Sequence, residues 1–268
     1  MELITSRSNS KIKQARAIKK SPAHKSNRLF LVEGIRQVGE ALEAAAAGTG
    51  FEVIAIFFVP DQLTSPFGRQ LITDAQTTGI SCHAVTLPVF ESLVERENPQ
   101  GILAVARYPN RNLEDLNPEN FPWGVALVAP QDPGNIGSII RTIDAVGASG
   151  LLLLDGGAEA YHPGAVRASM GMVFWYPVVP ASFAQFIDWA GRWNYTIYGT
   201  SAHGEATCHP GERFALPRVL LMGSERQGLT EDQRVTCHKV LRLPMKGRAT
   251  SLNLAVATGV LLYAMMQD

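Results

Sequence analysis

The sequence predicts an α/β protein with two domains. Along most of its 268 residues, short apolar runs alternate with stretches of helical periodicity, a pattern typical of sheets covered by helices. A chain of this length allows two domains that each bury a core of their own. Residues 108–122 are polar, aperiodic and interrupted by prolines, so we predict a linker there between domains at 1–107 and 123–268.

The first half opens with a basic segment that has the spacing of an amphipathic helix. Ile12, Ala15 and Ile18 recur at helical intervals among eight basic residues in the first 28 positions, against the single acid Glu2. This charged face is either a surface that binds the phosphates of a nucleic acid or an ordinary solvated helix face. Beyond it we predict strands at residues 29–32, 53–59, 81–85 and 102–106, and helices at 35–47, 67–77 and 89–95.

The second half alternates strands and helices more regularly. A mostly parallel sheet with helices on both faces is therefore expected, with ligands bound at the carboxyl ends of its strands. The last helix is apolar but too short to span a bilayer, which favours a buried core helix. The predicted strands are at residues 125–129, 151–154, 176–179, 195–200, 219–222 and 240–243, and the helices at 136–146, 165–170, 183–192, 230–235 and 252–266.

Composition narrows the class of protein. No apolar run opens the chain, so we expect a cytoplasmic protein without a signal peptide, and no membrane partner. Cys82, Cys208 and Cys237 are an odd number, which argues against a disulfide framework. Each precedes a histidine, but neighbouring residues on a strand point to opposite faces and no C-x-x-C pair is present, so we predict no metal site.

A dinucleotide-binding site is also disfavoured. The first strand of the second half is followed by Pro133-Gly134-Asn135-Ile136-Gly137, which lacks the third glycine of G-x-G-x-x-G. Only Asp155 could serve as the acidic residue that ends the following strand. A nucleotide-binding α/β enzyme unrelated to RNA is therefore the weakest of the functional hypotheses.

Three polar clusters in the second half point to an active site, because each lies where an apolar run gives way to a loop. They are Asn135 to Arg141, Gly223-Ser224-Glu225, and Pro244-Met245 with Ser251-Leu252-Asn253. In order and spacing they resemble the three motifs of the SpoU/TrmH family of S-adenosylmethionine-dependent RNA ribose 2'-O-methyltransferases, in the SPOUT superfamily. The resemblance is close over residues 123–266 and looser before them.

The resemblance carries several expectations. It implies S-adenosylmethionine as cofactor, a trefoil-knotted sheet and a homodimer. Residues 27–34 and 99–102 resemble parts of the L30e-like RNA-binding domain found in many members, which favours ribosomal over transfer RNA as substrate. A transfer RNA ribose methyltransferase and a non-catalytic RNA-binding protein with a SPOUT fold are the alternatives.

Arg141 carries the sharpest hypothesis about chemistry. It is one turn beyond Gly137 among isoleucines, where a guanidinium needs a partner. The partner is either an acid such as Asp144 or Glu225, in a structural ion pair, or the substrate. The matching arginine is held to be essential in the family, and we interpret Arg141 as an electrostatic stabiliser of the developing alkoxide and a phosphate clamp. Glu225 would then orient Arg141 or accept the proton.

The remaining candidates form three groups. The predicted catalytic residues are Asn135, Arg141, Glu225, Ser251 and Asn253; the cofactor-binding residues are Thr200, Met222, Gly223, Leu243, Met245, Ser251 and Leu252; and the RNA-binding residues are Lys11, Lys13, Arg16, Lys19, Lys20 and Arg28. Ser251 also has the character of an N-cap, and Gly223 that of a close backbone approach to a ligand. Gly134 and Gly137 suggest a turn of positive φ, and the start of the helix that follows presents free N–H groups to an anion such as the phosphate of the target nucleotide. Arg226 and Gln227 depart from the family's usual Glu-Gly-x-Gly, which leaves the loop conformation open.

Overall fold

The computed structural model describes residues 2–18, 27–94, 98–201, 204, 206–207 and 213–266. The chain divides into two compact units. The first comprises Met1–Asn110 and Tyr161–Trp175, and the second comprises Arg111–Ala160 and Tyr176–Asp268.

The first unit is built on a four-stranded sheet in the order β1-β4-β2-β3. Strand β4 pairs antiparallel with both β1 and β2, and β3 is parallel to β2. The basic segment forms a helix whose Ile12 and Ala15 are buried in the core beneath the sheet, as its spacing predicts. The strands are β1 Leu29–Glu33, β2 Glu52–Phe58, β3 Ser81–Ala84 and β4 Ile102–Arg107, and the helices are α1 Ser10–Ile18, α2 Ile35–Ala46, α3 Pro66–Thr77 and α4 Leu87–Glu91.

The second unit contains a seven-stranded sheet in the order β7-β6-β5-β10-β8-β11-β9, and every pairing in it is parallel. Its central strands β5 and β10 are buried along their whole length, as expected for a parallel sheet covered on both faces. The strands are β5 Trp123–Val128, β6 Gly150–Leu154, β7 Val178–Ala181, β8 Thr196–Thr200, β9 Ala206–Thr207, β10 Arg218–Met222 and β11 Lys239–Arg242. The helices of this part of the chain are α5 Pro133–Val146, α6 Pro163–Ala168, α7 Phe183–Arg192, α8 Glu231–Val235 and α9 Leu254–Met265.

The division into units differs from the predicted domains in two segments. Leu113, Leu116 and Phe121 of the predicted linker are buried in the core of the second unit, so the chain from Arg111 onward packs as part of that unit. Tyr161–Trp175, which carries α6, belongs with the first unit. Its Tyr161 ring stacks on Tyr108 at 4.3 Å between centroids. Apolar and aromatic packing between distant parts of the chain therefore decides where both segments belong.

Helix α9 packs against α5, and a Cβ added at Gly259 would lie 3.9 Å from the Thr142 side chain. The carboxyl end of α9 is held by Arg218, which is buried and donates hydrogen bonds to the carbonyl oxygens of Met265 and Phe214, each at 2.7 Å. The same guanidinium lies 4.3 Å from the centre of the Trp123 ring. Among the described residues, no helix is both long and apolar enough to cross a membrane.

Candidate active site

A cavity of about 660 Å³ opens at the edge where the parallel strands of the second unit end. Its walls come from the ends of β8, β10 and β11, the loops that follow them, and the start of α9. All seven residues predicted to bind the cofactor line it: Thr200, Met222, Gly223, Leu243, Met245, Ser251 and Leu252. Their role in cofactor binding stays a prediction.

A chain of hydrogen bonds joins the three motif clusters. The Asn253 Nδ2 amide donates to Asn135 Oδ1 at 2.9 Å, and Asn135 Nδ2 donates to Glu225 Oε1 at 3.1 Å. Asn135 is buried, so the oxygen and the nitrogen of its side-chain amide both need these hydrogen-bond partners. Residues far apart in the sequence therefore form one polar network, and Glu225 and Asn253 of that network also line the cavity.

Glu225 is bound to the start of α5. Its Oε2 accepts a hydrogen bond from the backbone N–H of Gln131 at 3.0 Å, and its Oε1 accepts one from Asp132 at 3.4 Å. Burial by itself raises the pKa of the Glu225 carboxyl, but the hydrogen bonds from Asn135, from its own backbone and from these two N–H groups outweigh burial and hold the pKa below its ordinary value. The side chain is therefore a firmly ionised carboxylate.

The start of α5 corrects two expectations. The helix begins at Pro133, with Asp132 as its N-cap, so Gly134 and Gly137 lie within the helix and not in a turn of positive φ. The N–H groups in this region were expected to bind a substrate phosphate. They are instead occupied: Glu225 accepts from Gln131 and Asp132, and the Asp132 carboxylate accepts from Gly134 at 2.8 Å. The anion at this helix start is a carboxylate of the protein.

The start of α9 corrects the capping assignment. The N-cap is Asn253 and not Ser251, because the Asn253 Oδ1 accepts hydrogen bonds from the backbone N–H groups of Ala255 at 2.9 Å and Val256 at 3.3 Å. Its amide nitrogen is left to bind Asn135. Asn253 thus fixes both the helix and the polar network, while Ser251 is exposed beside the cavity.

The loop after β10 is a tight turn despite its unusual sequence. Gly228 N–H donates to the Ser224 carbonyl oxygen at 2.9 Å, and Gln227 N–H donates to Ser224 Oγ at 3.3 Å. Arg226 adopts an ordinary negative φ, and the positive φ falls on Gly228, so the departure from Glu-Gly-x-Gly causes no backbone strain. At Gly223 an added Cβ would lie 2.0 Å from the Gly228 backbone, so the turn itself requires glycine at this position.

Arg141 lies in a different environment from the one expected. The isoleucines at 139, 140 and 143 are buried, but Arg141 is exposed on the opposite side of α5. Neither predicted ion pair forms, because Glu225 accepts from Asn135 and the backbone, and Asp144 accepts from the Tyr176 hydroxyl at 3.0 Å. Within the described part of the chain the guanidinium has no hydrogen-bond or ion-pair partner. Arg141 is also not among the residues that line the cavity.

The chain matches the models of known protein families. Residues 122–263, more than half of the chain, match the model of the SpoU rRNA Methylase family. The chain belongs to the SpoU rRNA methylase family. Residues 9–104 of this SpoU protein match the MRM3-like substrate binding domain.

Two relatives and one solved structure resemble the SpoU chain over most of its length. It is 33% identical over 241 residues to the 23S rRNA (uridine(2479)-2'-O)-methyltransferase of Streptomyces viridochromogenes, covering 87% of this chain and 81% of that protein. It is 31% identical over 267 residues to the 23S rRNA (guanosine(2553)-2'-O)-methyltransferase RlmP of Bacillus subtilis, covering 98% of each chain. The crystal structure of AdoMet-bound rRNA methyltransferase from Sinorhizobium meliloti matches with a TM-score of 0.86 and 31% identity, over 98% of this chain and 96% of that one.

The described residues among those predicted to bind RNA differ in their surroundings. Lys11 and Lys13 are exposed on α1, opposite the buried Ile12 and Ala15. Arg16 is half-buried and donates to the Ser92 hydroxyl at 2.8 Å. The remaining three are Arg28, half-buried at a positive φ of 54° before β1, and Lys19 and Lys20, which lie outside the described residues.

Other side chains that the sequence singled out have structural partners. The Asp155 carboxylate accepts from the backbone N–H of Phe183 at 2.8 Å, so it fixes the start of α7. His238 Nδ1 accepts from the N–H of Ile197 at 3.1 Å. Cys208 and His209 lie outside the described residues, and within those described no group of three or more His, Cys, Asp or Glu is arranged to hold a metal ion.

Sequence reasoning missed part of the site. The backbone of Gln131 and Asp132 binds Glu225, and Ala257 and Leu261 of α9 line the cavity. A backbone donor has no residue-type signature, so the first pair could not have been found from composition or motif. The spacing of Ala257 and Leu261, four residues apart on an apolar helix, was a usable signal for one shared face.

Proposed function

We propose that this protein transfers the methyl group of S-adenosylmethionine to a ribose 2'-hydroxyl of ribosomal RNA. The observation that carries the proposal is the hydrogen-bonded chain from Asn253 through Asn135 to Glu225, at the edge of a cavity lined by the predicted cofactor residues. Similarity to two 23S rRNA 2'-O-methyltransferases over most of the chain supports ribosomal over transfer RNA. Both of these relatives are named as methyltransferases, which favours an enzyme over an RNA-binding protein without catalysis.

The cavity suits S-adenosylmethionine. Its volume of about 660 Å³ lies within the range of roughly 300–1,000 Å³ that small-molecule sites occupy. Leu243, Met245 and Leu252 offer apolar surface to an adenine ring, and the backbone of the Gly223 turn offers polar groups. When bound, the cofactor supplies a methyl group already activated by its sulfonium. The protein must therefore align the ribose hydroxyl and help it lose a proton.

Glu225 is assigned a positioning role. A carboxylate whose pKa lies below its ordinary value is a weak proton acceptor near neutral pH. Its hydrogen bonds hold Asn135 and the first residues of α5 against the turn that lines the cavity. Ser251, exposed two residues before Asn253 in the same lining, is assigned to bind the ribose or the cofactor.

Arg141 is assigned to stabilise the developing alkoxide and to hold a substrate phosphate. Its exposure and its lack of a partner within the described residues leave the guanidinium available to a ligand. Because Arg141 does not line the cavity of its own chain, we assign it to the cavity of a second copy. This assignment makes the homodimer part of the catalytic proposal.

An apolar stripe on α9 supports the homodimer. Val256, Val260 and Tyr263 are 53%, 47% and 57% exposed and are spaced four and three residues apart on one face of the helix. A self-complementary interface along this stripe would cover them. Light scattering at micromolar concentration should give twice the chain mass, and a monomeric mass would contradict the proposal. The trefoil knot implied by the family resemblance is part of the same proposal.

The central experiment supplies labelled S-adenosylmethionine with 23S ribosomal RNA or with total transfer RNA. We expect transfer to ribosomal RNA, at a nucleotide whose ribose then resists alkaline cleavage on its 3' side. Asn135→Ala should abolish transfer because it removes both bonds of the network, while Ser138→Ala, an exposed change on the same helix, should not. Transfer only to transfer RNA would replace the substrate assignment, and failure of the wild type to bind the cofactor in calorimetry would refute the activity.

A further inference from the structure

The turn after β10 carries a cationic residue, Arg226, that lines the cavity and has no role in the proposed reaction. Arg226 lies at the tip of this turn, is exposed, and lines the cavity. The turn is closed beneath it by the hydrogen bond from Gly228 to Ser224, so the backbone that carries Arg226 is fixed. The fold therefore sets where the Arg226 side chain leaves the backbone.

Among the described residues, no acidic side chain pairs with Arg226. Its neighbour Glu225 is engaged by Asn135 and by the backbone of Gln131 and Asp132. The second arginine of the lining, Arg234, forms an ion pair with Glu231. In the described part of the chain, Arg226 has neither a hydrogen bond nor an ion pair.

Two further cations follow β11 beside the same cavity. Met245 and Thr250 line it, and between them Lys246 and Arg248 are exposed and, among the described residues, unpaired. Unpaired cations around the opening of a cavity attract a polyanion and raise its rate of association. RNA meets this requirement, because each nucleotide carries one phosphate.

We propose that Arg226 binds a phosphate of the RNA next to the ribose that is methylated, and that Lys246 and Arg248 extend this contact along the strand. The inference rests on the proposed function and adds a substrate-binding residue to it. An arginine here, where the family usually has glycine, gives this chain a phosphate contact on a fixed turn. A planar guanidinium holds a phosphate through two parallel hydrogen bonds, which orients the strand as well as attracting it.

The test compares Arg226→Gln and Arg226→Gly with wild type. Binding of 23S ribosomal RNA and single-turnover methylation are measured at saturating S-adenosylmethionine, in about 50 to about 200 mM salt, where loss of phosphate contacts is visible. Both variants should weaken RNA binding by about tenfold and flatten the slope of log affinity against log salt by about one. Cofactor affinity in calorimetry should stay within about twofold, because no cofactor charge is assigned to this residue.

Matched controls separate this inference from the function on which it rests. Arg192→Gln removes an exposed cation at the end of α7, outside the cavity, and should leave RNA affinity unchanged. Arg226→Lys keeps the charge and should retain the salt slope while losing part of the affinity. Wild-type RNA affinity and slope in Arg226→Gln, or an equal loss of cofactor binding, would overturn the inference. The binding assay gives this answer whether or not methylation occurs, whereas an inactive wild type would refute the proposed function.

Discussion

Glu225→Gln tests whether one carboxylate holds the motif clusters together. The side chain now accepts three hydrogen bonds, from Gln131 N–H at 3.0 Å, Asp132 N–H at 3.4 Å and Asn135 Nδ2 at 3.1 Å. Glutamine has nearly the same shape but only one acceptor oxygen, and its NH₂ group would face a donor. At least one N–H at the start of α5 would therefore lose its partner in the protein.

The expected loss of stability follows from these contacts. A hydrogen bond to a charged group stabilises by about 1.5–3 kcal/mol, and an unsatisfied buried donor costs about 1–3 kcal/mol. Glu225 is exposed, so water replaces part of the loss, and we expect the variant to be less stable by about 1–2 kcal/mol at neutral pH. That corresponds to a fall in Tm of roughly 2–8 °C.

The pH dependence gives a second readout of the same variant. Because the folded-state pKa of Glu225 lies below its unfolded value, the carboxylate stabilises the fold above the unfolded pKa, and this stability is lost as pH falls through the folded pKa. Glutamine does not titrate, so the difference in unfolding free energy between wild type and Glu225→Gln should shrink on acidification.

Urea unfolding at neutral and acidic pH measures that difference, with Asp188→Asn as a control. Asp188 is an exposed acid of the same unit, without a hydrogen-bond or ion-pair partner among the described residues. Its replacement should leave the unfolding free energy nearly unchanged. Equal stability of Glu225→Gln and wild type at neutral pH, or a difference between them that does not change with pH, would refute the reasoning.

Three further predictions concern catalysis, RNA binding and the turn. Arg141→Ala should reduce single-turnover methylation by ~100-fold while cofactor affinity and Tm are preserved. Arg141→Lys should not restore methylation. Near-normal turnover in folded Arg141→Ala would show that Arg141 has no catalytic role. Combined Lys11→Gln and Lys13→Gln changes should flatten the salt dependence of RNA binding by about two units of slope, and an unchanged slope would make this face of α1 an ordinary solvated surface. Gly223→Ala should abolish cofactor binding in calorimetry and lower Tm, because the new Cβ would lie 2.0 Å from backbone atoms. The control Gly247→Ala should change neither cofactor binding nor Tm, because no atom lies within 4 Å of the position of its Cβ. Normal binding by Gly223→Ala would show that the turn can shift.

Periodicity located most helices and strands because their apolar faces are local properties of the chain. Helix α7 was predicted with its observed bounds, since its buried residues recur at helical spacing and Ser182 forms a capping box with Gln185. Helix α5 begins at Pro133, three residues before the start that the sequence predicted. The pair Asp132-Pro133, an N-cap followed by proline at the first helical position, was the available signal, but the two glycines were interpreted as turn residues.

Arg141 shows how the same periodicity can be misapplied. Three isoleucines close to it in the sequence suggested an apolar environment, but they occupy one face of α5 and Arg141 occupies another. Positions 136, 140 and 143 form the buried stripe at helical spacing, while 138, 141 and 145 are exposed. A helical projection of the sequence would have predicted an exposed guanidinium without an intrachain partner.

Packing between distant segments could not be predicted in this way. The polar stretch after Tyr108 has the composition of a linker, yet it carries Leu113, Leu116 and Phe121 into the core of the second unit. Likewise, no local pattern around Tyr161 indicates that its ring stacks on Tyr108. Such contacts depend on which surfaces meet after folding, and local patterns of residue type in the sequence do not show this.

The position of Glu225 bears on two functions that we assign to charged groups of the site. One is to hold the cavity wall in place, and the other is to bind RNA phosphates. A helix N-terminus is a common anion-binding site, and the start of α5 would have suited an RNA phosphate. The protein places its own carboxylate there, which fixes Asn135 and the cavity wall before any ligand binds. In our proposal, phosphate binding is then left to exposed side-chain cations, Arg141 and Arg226 among them. On this reasoning RNA affinity should fall steeply with salt, whereas cofactor affinity, which we assign mainly to apolar side chains and backbone groups of the cavity, should not.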